Sequence, residues 1–213
     1  MNDFFVVEGV DGSGKTTLCS DLYRWLEEMK VPVELVNNPK QTDLGREVKR
    51  RIVDGCVHSA EVWMSLFLAS HWELLQKRII PALNQGKVVI CDRYINSTLA
   101  YQYLPAWDAG NRSNFLEEMK KILYLLPKPK GEIILEISRE TRAKRMESRR
   151  NADLFDTNPE LQRIATSWYS LFGVGEHACK RISGELSKEQ VFAEAKSFIA
   201  HNLSEKHLLK LIN

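Results

Sequence analysis

The chain has 213 residues, enough for one α/β domain with a sizeable core, and a formal charge of +2 at pH 7. Domains that bind nucleic acid polymers usually carry a clustered basic face, so a chain with a pI near 8.3 and nearly balanced charge favours a small anionic ligand. A predicted strand by residue 4 leaves no room for a signal peptide, and no apolar run reaches the roughly 18–20 residues of a membrane span. We therefore expect a soluble, cytoplasmic protein.

A glycine-rich segment follows an apolar run that begins at Phe4, and a helical pattern starts directly after it. Residues 9–16, GVDGSGKT, fit the phosphate-loop template G-x-x-x-x-G-K-[ST] at every fixed position. Its glycines let backbone N–H groups point at a polyphosphate, and the following helix adds its positive dipole end. Lys15 can reach the β- and γ-phosphates, and the Thr16 hydroxyl can bind the bridging Mg²⁺. We predict an ATP site formed by Gly9, Val10, Asp11, Gly12, Ser13, Gly14, Lys15, Thr16 and Thr17.

The elements that follow the loop alternate between helix and strand. Apolar residues at helical spacing predict a first helix, Val33–Val36 reads as a short strand, and a polar turn leads to a helix that ends near Gly55. The longest helical pattern begins after Ser59, a predicted cap, and Pro81 bends or interrupts it.

A continuous apolar strand at Lys87–Cys91 runs into the charged segment Asp92-Arg93-Tyr94. Such a strand is typical of a parallel sheet that is buried on both faces. Ligands of α/β sheets collect at the carboxyl ends of strands, so Asp92 and Arg93 stand where functional groups are expected. We predict that Asp92 and Thr16 form the metal site.

The second half of the chain continues the alternation, with no repeat or linker that divides it. Further strands are expected at Ile133–Ile137 and near Cys179–Ile182, and a closing helix at Lys188–Ile199. The whole pattern predicts an α/β fold with three layers: a doubly wound, parallel, five-stranded sheet of the P-loop NTPase type. The four cysteines lack C-x-x-C spacing, which predicts structural thiols and neither a zinc site nor a disulfide framework.

A basic helical segment, Glu140–Arg150, borders a polar, turn-like stretch late in the chain. A charge run is often a solvated helix face, but a mobile lid that excludes water is common in phosphoryl-transfer sites. We predict a helical lid at about residues 145–158, with Arg149 and Arg150 at the transferred group. The single kinase domain is predicted to span residues 1–205, followed by a tail at 206–213.

A phosphate loop alone does not separate a kinase from a GTPase, an ATPase motor or a binding module. A GTPase carries a guanine-reading N-K-x-D segment, which is absent from the sequence, and a large ATPase needs a longer chain. A small phosphoryl-transfer enzyme needs a Mg²⁺ site, an acceptor site and cations at the moving group. The residues predicted to carry catalysis are Lys15, Arg93, Arg149 and Arg150.

Two segments, EGVDGSGKTT at 8–17 and CDRYINSTLAYQ at 91–102, resemble thymidylate kinases, the phosphate-loop nucleoside-monophosphate kinases that phosphorylate dTMP. The resemblance covers about residues 3–200 and implies ATP as donor, Mg²⁺ as cofactor and a homodimer formed through the long helices. It implies that Asp11 bonds the acceptor's sugar 3′-hydroxyl, that Arg93 holds its phosphate and that Phe67 stacks on its base. The acceptor site is expected to comprise Asp11, Pro39, Lys40, Phe67, His71, Arg93, Ser97, Tyr101 and Gln102.

Three departures from the family pattern concern the acceptor and the loop. Asn37 stands where the family usually has an arginine that contacts the acceptor phosphate, so Lys40 is the candidate replacement. His71 aligns with the family's base-reading arginine, and imidazole offers fewer donors and less reach than a guanidinium. Gly12 stands where one branch of the family has a loop arginine. In the other branch the lid supplies it, which agrees with Arg149 and Arg150.

These departures leave the acceptor open at this point. The first hypothesis is ATP-dependent phosphorylation of a deoxynucleoside monophosphate, with dTMP as the leading acceptor. The second is a kinase for another or modified pyrimidine deoxynucleotide, such as a 5-substituted dUMP. The third is a regulator that binds ATP without transfer, against which the retained Lys15, Thr16, Asp92 and Arg93 argue.

Overall fold

Five parallel strands form one sheet in the computed structural model, which describes residues 3–56, 58–108, 110, 113–147, 155, 158–171 and 178–212. The strands lie in the order β2-β3-β1-β4-β5, so the strand that carries the phosphate loop is central. All four neighbouring pairs are parallel. The strands are β1 (Phe4–Gly9), β2 (Val33–Asn37), β3 (Val88–Asp92), β4 (Gly131–Glu136) and β5 (Ala178–Ser183).

Helices connect the strands and cover both faces of the sheet, as parallel crossover connections require. Within the described residues they are α1 (Lys15–Glu28), α2 (Asp43–Val53), α3 (Ala60–Leu74), α4 (Ile80–Asn84), α5 (Ile95–Thr98), α6 (Leu104–Asp108), α7 (Asn114–Tyr124), α8 (Arg139–Glu147), α9 (Pro159–Leu171), α10 (Lys188–Asn202) and α11 (Glu205–Ile212). Together with the strand order, this arrangement confirms the predicted three-layer, doubly wound α/β fold.

The two-residue alternation of side chains along β1 builds a separate core on each face of the sheet. Phe4 and Val6 belong to the core that includes residues of α3 and α7. Phe5 and Val7 belong to the core that includes residues of α1 and α10. All four side chains are buried. Burial on both faces explains why β1 reads as a continuous apolar run in the sequence.

The long helical segment changes its winding before Pro81 and continues past it. A π-helical turn at Leu75–Ile79 separates α3 from α4, and Pro81, which has no N–H to donate, stands in the first turn of α4 directly after it. The predicted cap at Ser59 is confirmed, because its side chain accepts a hydrogen bond from the Val62 N–H. Pro81 therefore lies in a continuous run of helical turns.

The last described helix is fixed to the amino ends of the strands by a buried polar cluster. Asp3 accepts hydrogen bonds from the Ser204 hydroxyl at 2.5 Å, from Lys130 at 2.9 Å and from His207 Nδ1 at 2.6 Å. His207 Nε2 donates to the carbonyl of Gly86 at 2.9 Å. Burial raises the pKa of Asp3, but the hydrogen bonds from Lys130, Ser204 and His207 outweigh it and hold that pKa below its usual value. We call these five residues the amino-end cluster.

Among the described residues, no helix is both long enough and apolar enough to cross a bilayer. The cysteines at 19, 56, 91 and 179 are free thiols. No group of three His, Cys, Asp or Glu side chains in the described part of the chain is arranged to hold a metal ion on its own.

Candidate active site

A cavity of about 640 Å³ opens at the carboxyl ends of the central strands. The phosphate loop lines one side of it, and residues that follow β2 and β3 line another. Side chains of α2, α3 and α8 complete the wall. Because the loop and the segment after β3 follow neighbouring strands, parallel pairing alone brings Lys15 and Asp92 into one space.

The phosphate loop adopts backbone conformations that only glycine takes readily. Gly9 has a φ of 140°, and a Cβ there would lie 2.5 Å from the carbonyl oxygen of Leu135. Gly14, with a φ of 101°, is the left-handed residue that precedes α1. The loop therefore turns directly into the amino end of α1, whose unpaired N–H groups suit a phosphate.

Lys15 lies inside the loop and is only 5% exposed. Its Nζ donates to the carbonyl of Val10 at 2.7 Å. Burial, followed by the nearby positive charge of Arg93, lowers the pKa of Lys15 to about 8. An adjacent phosphate favours the charged form of the amine, so a polyphosphate in this loop and a protonated Lys15 stabilise each other.

Thr16 and Asp92 come together as a pair of oxygen ligands. The Thr16 hydroxyl donates to Asp92 Oδ2 at 2.6 Å, and Asn37 Nδ2 donates to the same oxygen at 2.7 Å. Asp92 Oδ1 is buried and has no hydrogen-bond partner within the part of the chain that the structure describes. One carboxylate and one hydroxyl beside a phosphate loop fit Mg²⁺, which keeps several waters and takes its other ligands from substrate phosphates.

Arg93 occupies the junction between the loop and the acceptor side of the cavity. Its φ of 72° lies in the left-handed region, which is uncommon for a residue with a side chain. Nη2 donates to Asp11 Oδ1 at 2.6 Å, and Nη1 donates to Ser97 Oγ at 2.9 Å and to the Gly9 carbonyl at 3.3 Å. Although burial lowers it, the carboxylate of Asp11 raises the net pKa of Arg93 above its usual range. The guanidinium is a fixed cation that faces the cavity.

Aromatic side chains line the part of the cavity beyond Arg93. Phe67 and Tyr101 both line it, and the Arg93 guanidinium lies 5.5 Å from the centre of the Tyr101 ring. Gln102 also lines the cavity, and its Oε1 is buried without a hydrogen-bond partner among the described residues. Rings that can stack and an amide that can pair with base edges are suited to a nucleobase.

Phe155 is a wall residue that the sequence prediction missed. Its ring centre lies 5.5 Å from that of Trp63, 6.3 Å from Tyr101 and 6.5 Å from Phe67. It lies in a segment predicted to be a polar turn, in which the apolar pair Leu154-Phe155 is the only signal of a buried side chain. Lys49 of α2 also lines the cavity and was not predicted, because nothing local in α2 distinguishes it from a solvated lysine.

The structure does not bring His71 to the cavity, in contrast to the predicted contact with the acceptor base. The side chain is completely buried, with Nδ1 accepting from Asn38 Nδ2 at 3.3 Å and Nε2 donating to Thr98 Oγ1 at 2.9 Å. Burial lowers the pKa of His71 to about 3, so the ring is neutral. With both nitrogens bonded to protein groups, His71 connects α3 to the turn after β2 and to α5.

The remaining predicted residues divide between the cavity and the undescribed segment. Asn37, Pro39 and Lys40 all line the cavity, and Asn37 also donates to Asp92. Arg149, Arg150 and most of the predicted lid lie outside the described residues. Of the basic helix that precedes them, Arg145 donates to the carbonyls of Gly12 and Gly184, at 3.1 and 2.7 Å. A Cβ on Gly12 would lie 3.4 Å from the sulfur of Met146, so α8 covers the position that lacks a side chain.

Comparison with known proteins decides the family. A sequence model described as thymidylate kinase matches residues 7–195. The chain belongs to the thymidylate kinase family. It is 36% identical to a protein of Pyrococcus abyssi named "Probable thymidylate kinase" over 209 residues, which cover 95% of this chain and 98% of that protein.

Two further relatives agree. A "Probable thymidylate kinase" of Pyrococcus horikoshii is 33% identical over 205 residues, covering 94% of this chain and 97% of that protein. A "Thymidylate kinase" of Symbiobacterium thermophilum is 34% identical over 142 residues, covering 66% and 65% of the two chains. Membership of this family confirms the resemblance drawn from residues 8–17 and 91–102, and it makes the chain a nucleoside-monophosphate kinase.

Proposed function

We propose that this kinase transfers the γ-phosphoryl group of ATP to the phosphate of dTMP and forms ADP and dTDP. The observation that carries the proposal is the position of Arg93, which bonds Asp11 of the phosphate loop and lies over the ring of Tyr101. A cation at this junction is suited to hold the acceptor phosphate beside the donor. Family membership supports dTMP as the acceptor.

The donor side is assigned to residues 9–17. Backbone N–H groups of the loop and of the first turn of α1 bind the phosphates, and Lys15 contacts the β- and γ-phosphates. Thr16 and Asp92 are the proposed Mg²⁺ ligands, and the orphaned Asp92 Oδ1 supports that assignment. When bound, Mg²⁺ offsets negative charge on the β- and γ-phosphates during transfer.

The acceptor side is assigned to the aromatic part of the cavity. Phe67 stacks on the base, Tyr101 and Gln102 line the nucleoside, and Pro39 and Lys40 border the phosphate. Asp11 is proposed to accept from a sugar hydroxyl: its Oδ2 faces the Tyr101 hydroxyl at 3.4 Å, and its Oδ1 bonds Arg93. No base contact is assigned to His71, because both its nitrogens are already bonded.

Transfer needs no covalent enzyme intermediate. An oxygen of the acceptor phosphate forms a bond to the γ-phosphorus while the bond from that phosphorus to the bridging β–γ oxygen breaks, and the electron pair leaves with ADP. Lys15 and Arg93 hold the two phosphates in line and stabilise the charge of the moving group. Arg149 and Arg150 are proposed to add positive charge from the lid at about residues 145–158.

The assembly and location of the protein belong to the same proposal. The kinase domain is proposed to span residues 1–205 and to form a homodimer through its long helices. Val62, Trp72 and Ile80, which are all at least 39% exposed, lie along the helical segment α3–α4 and support that face. Sedimentation of the purified chain measures the assembly. A cytoplasmic location stays a prediction.

The function is tested by an ADP-release assay on a panel of nucleoside monophosphates, with ATP and Mg²⁺. We expect dTMP to give the highest kcat/KM, and Lys15→Ala to abolish the signal for every acceptor. If dTMP gives no ADP release and another monophosphate does, the assignment of the acceptor is overturned. ATP binding without turnover of any member of the panel would overturn the assignment of a kinase activity.

A further inference from the structure

A completely buried carboxylate, Glu8, interrupts the apolar strand β1 immediately before the phosphate loop. Oε1 accepts from the backbone N–H groups of Tyr94 at 2.8 Å and Ser97 at 3.2 Å. Oε2 accepts from the Ser97 hydroxyl at 2.6 Å and from the Tyr169 hydroxyl at 2.9 Å. Charged side chains are almost never fully buried without partners, so these four contacts require an explanation. Three of them come from the segment that follows Arg93, and the fourth comes from Tyr169 of α9.

Ser97 connects Glu8 to Arg93. A hydroxyl has one hydrogen to donate and two lone pairs to accept with. At 2.6 Å from a carboxylate, the Ser97 hydroxyl donates to Glu8, and its lone pairs then accept from Arg93 Nη1 at 2.9 Å. Glu8 thus fixes the direction of the hydrogen bond that holds one arm of the guanidinium. Asp11 holds the other arm at 2.6 Å.

We propose that Glu8 is a positioning residue for phosphoryl transfer: through Ser97 it aims the Arg93 guanidinium at the acceptor phosphate. The inference rests on the proposed function, since it takes Arg93 as the contact to that phosphate. Glu8 itself does not line the cavity. Its hydrogen bonds go to the residues after β3 and to Tyr169, which places its direct effect on the acceptor side of the cavity.

Ionised Glu8 is the form that performs this task. Its charged neighbours are Glu132 on β4, Arg93 after β3 and Lys15 in α1, and the hydroxyl of Tyr169 reaches it from α9. Burial and the negative charge of Glu132 raise the pKa of Glu8 to about 7. A protonated Glu8 carries a hydrogen on its carboxyl group, and this hydrogen competes with the one that the Ser97 hydroxyl donates to the same group. We therefore expect acceptor use to improve as the pH rises through about 7.

The main test is Glu8→Gln, assayed with dTMP and ATP varied separately. The glutamine amide is a donor where Oε2 is an acceptor, so it reverses the bond to Ser97 with little change in volume. At pH 8 we expect kcat/KM for dTMP to fall about tenfold, with KM for ATP unchanged within twofold. At pH 6 the difference from the wild-type protein shrinks. The phosphate of dTMP titrates near pH 6 in both proteins, so its contribution cancels in the ratio of the two profiles.

The matched control is Glu132→Gln, which removes the neighbouring buried carboxylate. Glu132 bonds Asn96 and not the Ser97–Arg93 connection, so the variant leaves kcat/KM at pH 8 unchanged. Glu132→Gln removes a charge that raises the pKa of Glu8. The rise of kcat/KM for dTMP with pH is therefore expected to occur at lower pH in this variant. If Glu8→Gln fails to fold, Ser97→Ala removes the connection while Glu8 stays in place, and the same tenfold, dTMP-selective loss is expected.

A second measurement does not depend on turnover. In ¹⁵N spectra of the guanidinium groups, with Arg93 assigned through Arg93→Lys, the wild-type protein is expected to give separate Nη1 and Nη2 signals. Glu8→Gln and Ser97→Ala are expected to shift the Nη1 signal and to speed its exchange with the Nη2 signal, because only the contacts to Asp11 and to the Gly9 carbonyl then remain. An Nη1 signal that is unchanged in both variants, or a loss of kcat/KM that affects dTMP and ATP equally, would overturn the positioning role. If the wild-type protein does not turn over dTMP, the proposed function fails, and these spectra still decide the role of Glu8.

Discussion

Buried polar groups meet at both ends of the sheet, but their hydrogen bonding differs. At the carboxyl ends, oxygens of Asp92, Asn37 and Gln102 are buried beside the cavity without a partner among the described residues. At the amino ends, both oxygens of Asp3 and both nitrogens of His207 are bonded to other protein groups. An unsatisfied buried polar atom costs about 1–3 kcal/mol, and a ligand in the cavity that bonds these three oxygens would offset that cost.

The difference separates function from stability within one fold. Groups at the carboxyl ends are proposed to bind phosphates, metal and base, and their substitution is expected to change activity more than stability. Groups of the amino-end cluster fix α11 to the sheet, and their substitution is expected to change stability more than activity. Glu8 is the informative exception, because it belongs to the carboxyl-end region yet is fully bonded.

The largest expected effect is that of Lys15→Ala at the carboxyl ends. Loss of this cation removes charge stabilisation that develops in the transition state, and kcat is expected to fall on the order of a thousandfold, about 4 kcal/mol. The free energy of unfolding is expected to change little, since within the described residues the Lys15 amine makes a single side-chain hydrogen bond, to the carbonyl of Val10. Steady-state kinetics and urea unfolding measure the two. Lys121→Ala, at an exposed lysine, is the control, and a Lys15→Ala variant with more than a tenth of normal kcat would contradict the assignment.

The opposite pattern is expected for Asp3→Asn in the amino-end cluster. The change removes a buried negative charge that Lys130 and His207 share, and the free energy of unfolding is expected to fall by about 3 kcal/mol. At a temperature where the variant is folded, kcat stays within twofold of normal. Urea unfolding is the measurement, with Asp54→Asn, an exposed ion pair, as the control. A tenfold loss of kcat in Asp3→Asn without a loss of stability would contradict the assignment of the amino-end cluster to stability.

The raised pKa of Glu8 predicts that the free energy of unfolding depends on pH. Its pKa in the folded protein is raised from 4.5 to about 7, so the folded state holds the proton more tightly than the unfolded state. Its contribution to stability is therefore full below the unfolded pKa and is lost as the pH rises through the folded pKa. Between about pH 5 and about pH 7 the loss amounts to about 2 kcal/mol.

The measurement compares urea unfolding of the wild-type protein with that of Glu8→Gln across this pH range. The difference between them is expected to shift by about 2 kcal/mol, because glutamine does not titrate and all other groups are shared. If the unfolding free energies of the two proteins differ by the same amount at every pH in this range, the pKa of Glu8 is not raised by folding. The positioning role would then have to operate without a pH dependence near 7.

The smallest effect is expected at a helix cap that belongs to neither region. Ser187 accepts from the Gln190 N–H at 3.3 Å, and the Gln190 side chain accepts from the Ser187 N–H at 3.0 Å. Ser187→Ala is expected to reduce the free energy of unfolding by about 1 kcal/mol without changing kcat. Ser170→Ala, an exposed serine within α9, is the control for loss of a hydroxyl. Thermal unfolding resolves a difference of this size.

The parts that sequence predicted well depend on local patterns that agree with one another. The strand, loop and helix of Phe4–Glu28 follow each other as the phosphate-loop template requires, and the structure has them at those residues. The apolar run before Asp92 predicts a buried strand and, with it, the edge at which Asp92 and Arg93 stand. Ser59 is a local cap signal, and the structure has it at the first turn of α3.

The parts that sequence missed depend on contacts between distant residues. His71 aligns with a base-reading arginine, but a side chain shorter than arginine stays in the interior, where Asn38 and Thr98 bond it. Phe155 lines the cavity in ring contact with Trp63 and Phe67 of α3, which lie about 90 residues earlier in the chain. No local pattern signals such pairs.

The tail illustrates the same limit. Its sequence leaves open whether residues 206–213 dock or fray. The contact that docks α11 joins His207 to Asp3, 204 residues earlier in the chain. Pairs at that separation become visible only when the sheet brings the chain ends together, so the amino-end cluster could not be read from spacing.

The most direct test of the central claim is ³¹P NMR of one mixture of the protein with ATP, Mg²⁺ and dTMP. Transfer from ATP to dTMP predicts that the signals of dTDP and ADP appear together and in equal amounts, while dTMP and ATP decline in step. Formation of ADP and inorganic phosphate with dTMP unchanged would contradict the claim, as would a mixture that stays unchanged.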